Sequence, residues 1–213
     1  MRRVSYLWLE FLAVFGGLPM FIYLTRDRGA MFIILWVGAA AGYYTLKRAN
    51  PAFTYRSEWH LSAARAGIRP VMERFFLLAI MLTCFAIVHD TDRLFDFPAH
   101  YPQKWLLVML LYPLLSVWPQ EILFRSFLMQ RYAPIFTKPV QLAAVSAFAF
   151  AYAHIVFNNW VAFVFCLAGG WLFAGTYQRH RSLALACLEH SVYGCFVFTL
   201  GLGWYFYGAA WQR

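Results

Sequence analysis

Charge is what this sequence has least of. Only 13% of its 213 residues are Asp, Glu, Lys or Arg, about half the share of a typical soluble domain. So few charges cannot solvate a folded surface, which excludes a soluble globular chain. Acids are scarcer than bases, nine against eighteen, for a net charge of +9. The bases do not gather on one face. They fall in short polar gaps between apolar runs, which excludes a nucleic-acid-binding basic domain and points to membrane orientation. Cysteine is sparse as well. Cys84, Cys166, Cys187 and Cys195 all lie inside apolar runs, with no CxxC pair and no metal-ligand spacing. They read as ordinary membrane-helix cysteines rather than a disulfide or metal site. There is no internal repeat and no low-complexity tract.

What is abundant is apolar. Hydrophobic residues make up 62% and aromatics 21%, with 22 Phe and 13 Tyr. The class that remains is an all-α polytopic membrane bundle, forming one integral membrane domain over residues 1–213. A spanning helix needs about 20 apolar residues, and seven stretches qualify, within a range of six to eight. They run from Val4 to Leu24, Ala30 to Leu46, Phe75 to Val88 or His89, Trp105 past Pro119 to Met129, Pro139 to Ala153, Ile155 to Gln178, and Ser182 to Tyr207. The last is long enough to tilt or to break near Gly201 and Gly203. The first follows Met1-Arg2-Arg3 but lacks a small-x-small cleavage site, so it reads as an uncleaved anchor.

Placing the N-terminus in the cytoplasm puts Arg2, Arg3, Lys47, Arg48, Arg56, Arg65, Arg69, Arg74, Arg131, Lys138, Arg179 and Arg181 on that side. Arg26, Arg28, Arg93, Lys104 and Arg213 fall opposite, and Arg125 lies within a span. The bias predicts an N-in, C-out topology. The basic stretch 47–74 is expected to lie on the cytoplasmic surface as an amphipathic linker. The acidic, Pro-containing stretch from Asp90 to Lys104 is expected to be an external loop. A short chain with compact gaps fits a bacterial inner membrane.

A charge at the bilayer centre costs about 2.5–3.5 kcal/mol on insertion scales, so ionisable residues within spans are functional candidates. Here they are Glu10, Glu121, Arg125, His154, Glu189 and His190. Glu121 and Arg125, four apart on a helix, can pair and so neutralise the fourth span. His154 ends the run Phe148-Ala149-Phe150-Ala151-Tyr152-Ala153, and His190 follows Glu189. Carboxylate plus imidazole is the minimum set for activating a water. With no metal-ligand spacing and no cofactor motif, the set suggests water attack on a carbonyl with donors holding the oxyanion. Counted from the cytoplasmic ends at about 1.5 Å per residue, Glu121 and His190 lie about 14 Å deep and His154 about 24 Å. That mismatch eases if the fifth span begins later or the fourth breaks at Pro119. Elsewhere, Asn158-Asn159-Trp160 reads as a turn. Gly169, Gly170 and Gly175 read as sites of close helix packing. Glu10 is expected to face the bundle or snorkel.

Three motifs in order resemble a known family. Gln120-Glu121-Ile122-Leu123-Phe124-Arg125 is similar to EExxxR, Phe150-Ala151-Tyr152-Ala153-His154 to FxxxH, and His190 with Gly194 four residues on to HxxxN. These are the motifs of the CAAX-protease and bacteriocin-processing family (CPBP, or Abi) of intramembrane glutamic endopeptidases, and the resemblance covers residues 113–203. It implies a helical bundle with a conical cavity open to membrane and cytosol. It also implies hydrolysis without a metal or organic cofactor, by water activated between the motif Glu and His154, with His190 at the oxyanion. The implied partner is a membrane-anchored peptide or protein tail.

Two positions depart from the pattern. Gln120 replaces the first Glu and has no useful basicity, and Gly194 replaces the Asn. Three readings stay open. Glu121 is the base with His154, while Gln120 holds water or substrate. Alternatively, Glu189 supplies the missing carboxylate, although neighbours on a helix point about 100° apart. Or the chain is a catalytically degenerate member, a binding or immunity protein. A proton or ion transporter using Glu10, Glu121 and the histidines is a further alternative. The odd span number and the lack of an inverted repeat argue against it.

Overall fold

The computed structural model describes residues 2–207, the side chains of Arg2, Arg3, Arg28 and Tyr55 apart. Arg213, counted in the charge bias, lies outside the described residues, as do the side chains of Arg2, Arg3 and Arg28. Among the described residues every regular element is helical. Six helices are long and apolar enough to cross a membrane, and a seventh is shorter. We label them α1 (Val4–Thr25), α2 (Arg28–Ala49), α3 (Leu61–His89), α4 (Pro102–Arg131), α5 (Pro139–Ala153), α6 (Trp160–His180) and α7 (Leu183–Thr199).

The ends are set by local chemistry. Asp27, Asn159 and Ser182 each accept from backbone N–H groups of the first turn of α2, α6 and α7, satisfying donors that a helix start leaves free. Pro102 and Pro139 open α4 and α5, where a missing N–H is harmless. Lys47 and Arg48 close α2, and Arg179 and His180 close α6, as the helix dipole favours.

Three boundaries differ from the sequence expectation. The 47–74 stretch is not one surface linker: after a short helix, Tyr55–Trp59, α3 begins at Leu61 and continues into the span. Charges make the span look short, but the helix runs on through Arg65, Arg69, Pro70 and Arg74. The sixth span starts at Trp160, not Ile155. His154–Phe157 forms a single 3₁₀ turn, Asn158 is left-handed, and Asn159 accepts from Val161 N and Ala162 N. The Asn pair is a turn because Asn tolerates that conformation and caps the next helix. Finally, Asp90–Lys104 is structured, with a 3₁₀ turn at Thr91–Arg93 and a short helix at Asp96–His100 before α4.

The anticipated break in the last span lies at Gly201, whose φ is +90°. A Cβ there would overlap the carbonyl of Arg93, so the α7 end and the 90–94 turn lie in close contact. Arg93 stacks on Trp204, 4.8 Å from its ring centroid, and the Tyr205 hydroxyl donates to Asp90.

Lipid tails give no hydrophobic drive for helices to meet, so packing and interhelical hydrogen bonds hold such a bundle, at roughly 0.6–2 kcal/mol per bond. Many large apolar side chains are exposed outward, among them Leu24, Val88 and Trp160, as a lipid-facing surface requires. The polar contacts lie between helices. Arg131 of α4 grips both carboxylate oxygens of Glu10 on α1 at 2.8 Å, and Tyr132 adds a third bond at 3.0 Å. Burial and the nearby Glu10 carboxylate hold the Tyr132 phenol above its ordinary pKa. Glu10 thus faces the bundle. Trp105 Nε1 on α4 donates to Thr199 Oγ1 on α7 at 3.0 Å. Of the three glycines on α6, only Gly170 meets a neighbouring helix backbone, at Ala147 of α5. Gly169 meets Phe173 of its own helix, and Gly175 faces open space.

Candidate active site

The centre of the bundle is built on α4, which is not a regular helix. Residues Pro113–Val117 and Ile122–Phe127 are π-helical, flanking the turn Trp118–Glu121. Pro119 has no N–H, so the carbonyl of Leu115, four residues back, loses its helical donor. Trp36 Nε1 on α2 takes its place at 3.1 Å. Widened turns of this kind recur at functional sites.

Glu121 and Arg125 are both fully buried. Their Oε2 and Nε atoms form an ion pair at 3.1 Å, the couple anticipated from their spacing. Arg125 Nη1 also donates to Ser146 Oγ on α5 at 2.6 Å, and Ser146 passes the bond to the carbonyl of Phe124 at 2.7 Å. The guanidinium lies over the rings of Phe150 and Phe173, 5.1 and 5.8 Å from their centroids. A charge so deep is tolerable because it is paired and stacked.

The other carboxylate oxygen, Glu121 Oε1, lies 2.8 Å from His190 Nδ1 on α7. Glu121 is paired with Arg125 and so is a carboxylate, which can only accept; Nδ1 must carry a proton, and in the neutral imidazole Nε2 is left with a lone pair. The imidazole is clamped between rings, stacked on Phe173 with centroids 4.6 Å apart and edge-on to Phe150 and Tyr112. The contact also shows that Glu121 and His190 share one depth, as the residue count gives.

His154 sits where α5 ends. Its Nδ1 lies 2.7 Å from the Phe150 carbonyl, an acceptor, so here too Nε2 is the free nitrogen. Its ring packs on Phe150, Phe157 and Phe206. The two histidines are therefore separated by one shared ring, Phe150. The structure gives Glu121 to His190 and gives His154 a backbone partner of its own.

Both histidines line a cavity of about 680 Å³. Its walls are otherwise largely aliphatic and aromatic, including Leu78, Leu111 and Phe157. Gln120 also lines it, with Nε2 donating to Ser116 Oγ at 2.7 Å and a buried Oε1 that engages no donor among the described residues. Glu121 and Arg125 do not reach the cavity wall. Neither does Glu189, which is fully buried on another side of α7. Its Oε1 accepts from Arg74 Nη2 on α3 at 2.8 Å, and the same nitrogen donates to Thr176 Oγ1 on α6 at 2.8 Å. The 100° offset between neighbours separates Glu189 from His190 in this way. Among the described residues, no three His, Cys, Asp or Glu side chains converge as metal ligands.

Two groups escaped the sequence reading. Arg74 was counted as a gap charge, yet it is the counter-ion of Glu189. Tyr112 sits in an apolar run with nothing to mark it, yet it fills the space beside Gly194. A Cβ at position 194 would overlap the phenol oxygen and ring carbons of Tyr112.

Fold and site together define an integral membrane protein of the polytopic helical class, with a buried carboxylate–guanidinium–imidazole centre at the wall of an apolar cavity. Residues 102–196, a little under half of the chain, match the Rce1-like family, described as type II CAAX prenyl endopeptidase Rce1-like. The matched segment holds all three motifs and bears out the resemblance to the CAAX-protease family, a family of proteases. No curated protein and no solved structure matches the chain.

Proposed function

We propose that this protein is an intramembrane endopeptidase that hydrolyses a membrane-anchored peptide, with Glu121, His154 and His190 as its reactive set. The observation that carries the reading is the 2.8 Å contact between Glu121 Oε1 and His190 Nδ1 at the edge of the cavity. A carboxylate behind an imidazole fixes its tautomer and stabilises the imidazolium that forms when Nε2 takes a proton. Glu121 is sealed from the cavity, so it acts through His190 rather than on water directly. His154, with its own Nε2 free, shares the proton load as water attacks. Gln120 keeps an unengaged carbonyl oxygen for a substrate N–H. Glu189, held by Arg74, is a structural anion.

The family description and the apolar cavity together favour a lipidated substrate, a prenylated C-terminal tail, whose chain lies against Leu78, Leu111 and Phe157. No added metal or organic cofactor is needed for this chemistry. The charge bias supports an N-terminus in the cytoplasm and cleavage near that face of the bacterial inner membrane.

The test is incubation of the purified protein in liposomes with a membrane-peptide library, read by mass spectrometry. Cleavage lost in both Glu121→Gln and His154→Ala supports the assignment. Survival in Glu121→Gln with loss in Glu189→Gln moves the base to Glu189. A second reading has one observation in its favour: among the described residues no carboxylate lines the cavity. A binding or immunity protein would cleave nothing, and its Glu121→Gln variant would hold peptide as well as the wild type does.

A further inference from the structure

Hydrolysis of an amide needs a group to hold the oxygen that becomes negative when water adds. In this cavity neither histidine can do so while neutral. Both have Nδ1 committed to an acceptor, Glu121 Oε1 and Phe150 O, and both offer only a lone pair at Nε2. The Nε2 of Gln120 gives one of its two N–H groups to Ser116 and keeps the other. The wall is largely apolar and offers the developing charge few donors, and a charge left without one is costly.

Tyr112 has the geometry to supply the donor. It lines the cavity, and its ring stands edge-on to His190, with centroids 5.9 Å apart and an interplanar angle of 80°. A second edge contact, to Phe198 with centroids 5.1 Å apart, also packs the ring. The phenol oxygen rests against Gly194, one turn along α7 from His190, where any Cβ would overlap it. Glycine at 194 therefore leaves room for this ring and its hydroxyl.

Resting on the endopeptidase reading, we propose that Tyr112 is a catalytic residue that donates its hydroxyl to the reacting carbonyl oxygen. In the step, water forms a bond to the carbonyl carbon and its proton passes to an imidazole Nε2. The carbonyl π pair moves onto oxygen, where the Tyr112 O–H holds it. Collapse restores the carbonyl and breaks the C–N bond, and the leaving amine takes the proton back from the imidazolium. The phenol keeps its own proton throughout.

The experiment uses the full protein in liposomes and two probes: a prenylated peptide amide as substrate, and the matching prenylated peptide aldehyde, whose hydrate mimics the tetrahedral adduct, against its alcohol. Tyr112→Phe keeps the ring and removes only the donor. Its kcat should fall by about 100-fold with KM changed less than about threefold, as for loss of one oxyanion donor. Its preference for aldehyde over alcohol should fall by at least about tenfold, while its affinity for the alcohol is unchanged. Gly194→Ala, which displaces the phenol, should lose kcat similarly and add little to Tyr112→Phe in the double variant. Tyr193→Phe removes another hydroxyl on the same wall and serves as the comparison.

Wild-type turnover and aldehyde preference both retained in Tyr112→Phe would overturn the role of Tyr112 and leave the endopeptidase reading standing. Loss confined to Tyr193→Phe would likewise overturn it. A wild type that neither cleaves the amide nor prefers the aldehyde would overturn the endopeptidase reading, and this inference with it.

Discussion

Glu121 has two cationic or protic neighbours and no exposure, and that is what its environment must supply for a buried carboxylate to persist. Removing one of them is expensive. Arg125→Met should lower unfolding stability in detergent by about 3–5 kcal/mol, the usual cost of leaving a buried charge without its partner. Adding Glu121→Gln to it should restore most of that stability without restoring activity. Thermal unfolding of the two variants checks this. The Glu121–Arg125 couple was legible because four-residue spacing on a helix is a local property. The His190 contact was not, since it joins positions 69 residues apart and depends on how α4 and α7 are set beside each other. Gly194 was visible as a missing side chain. What fills its place was not, because a Tyr in an apolar run carries no signal of where its hydroxyl will go.

At the scale of the helix, close approach is set by small residues and by interruptions. Gly170 touches the backbone of Ala147, whereas Gly175 faces open space. Gly170→Leu should force α5 and α6 apart and lower stability by about 1–3 kcal/mol, the typical cost of overpacking. Gly175→Leu should lie within about 0.5 kcal/mol of wild type, as surface changes do. A denaturation series on the two variants separates them. Sequence saw three glycines of one kind, because identity alone does not say which face of α6 meets a neighbour. Helix starts fared better at Pro139 and Ser182 than at Pro102 and Asn159, where the reading began at Trp105 and Ile155 instead. The start of the fifth span at Pro139 is read directly from the ring that opens it. The start of α3 was missed, since Arg65, Arg69 and Arg74 interrupt the hydropathy but not the helix.

For the whole molecule, composition alone decided the class, because a chain this poor in charge has nowhere to fold but lipid. Among the described residues the seven apolar runs give α1 to α7, six of them long and apolar enough to cross a membrane, while α7 is shorter than its run and ends at Thr199, just before Gly201. The N-in orientation predicts the result of impermeant thiol labelling on intact cells, in a chain freed of its own cysteines. Asp92→Cys should be modified and Asn50→Cys should be protected until the membrane is opened. The reverse pattern would invert the topology. The cavity was expected only through the family resemblance and was not legible in the residues themselves, since it arises from every span and from none in particular.

The account turns on Glu121 acting through His190, so the most direct measurement is a double-mutant cycle on peptide hydrolysis in liposomes. Glu121→Gln and His190→Gln should each lower kcat on the order of 10²–10⁴-fold, the range of general acid–base catalysis. If the two form one unit, the double variant should be no more than about threefold worse than the weaker single. Losses that multiply, or a Glu121→Gln protein with near wild-type turnover, would contradict the account.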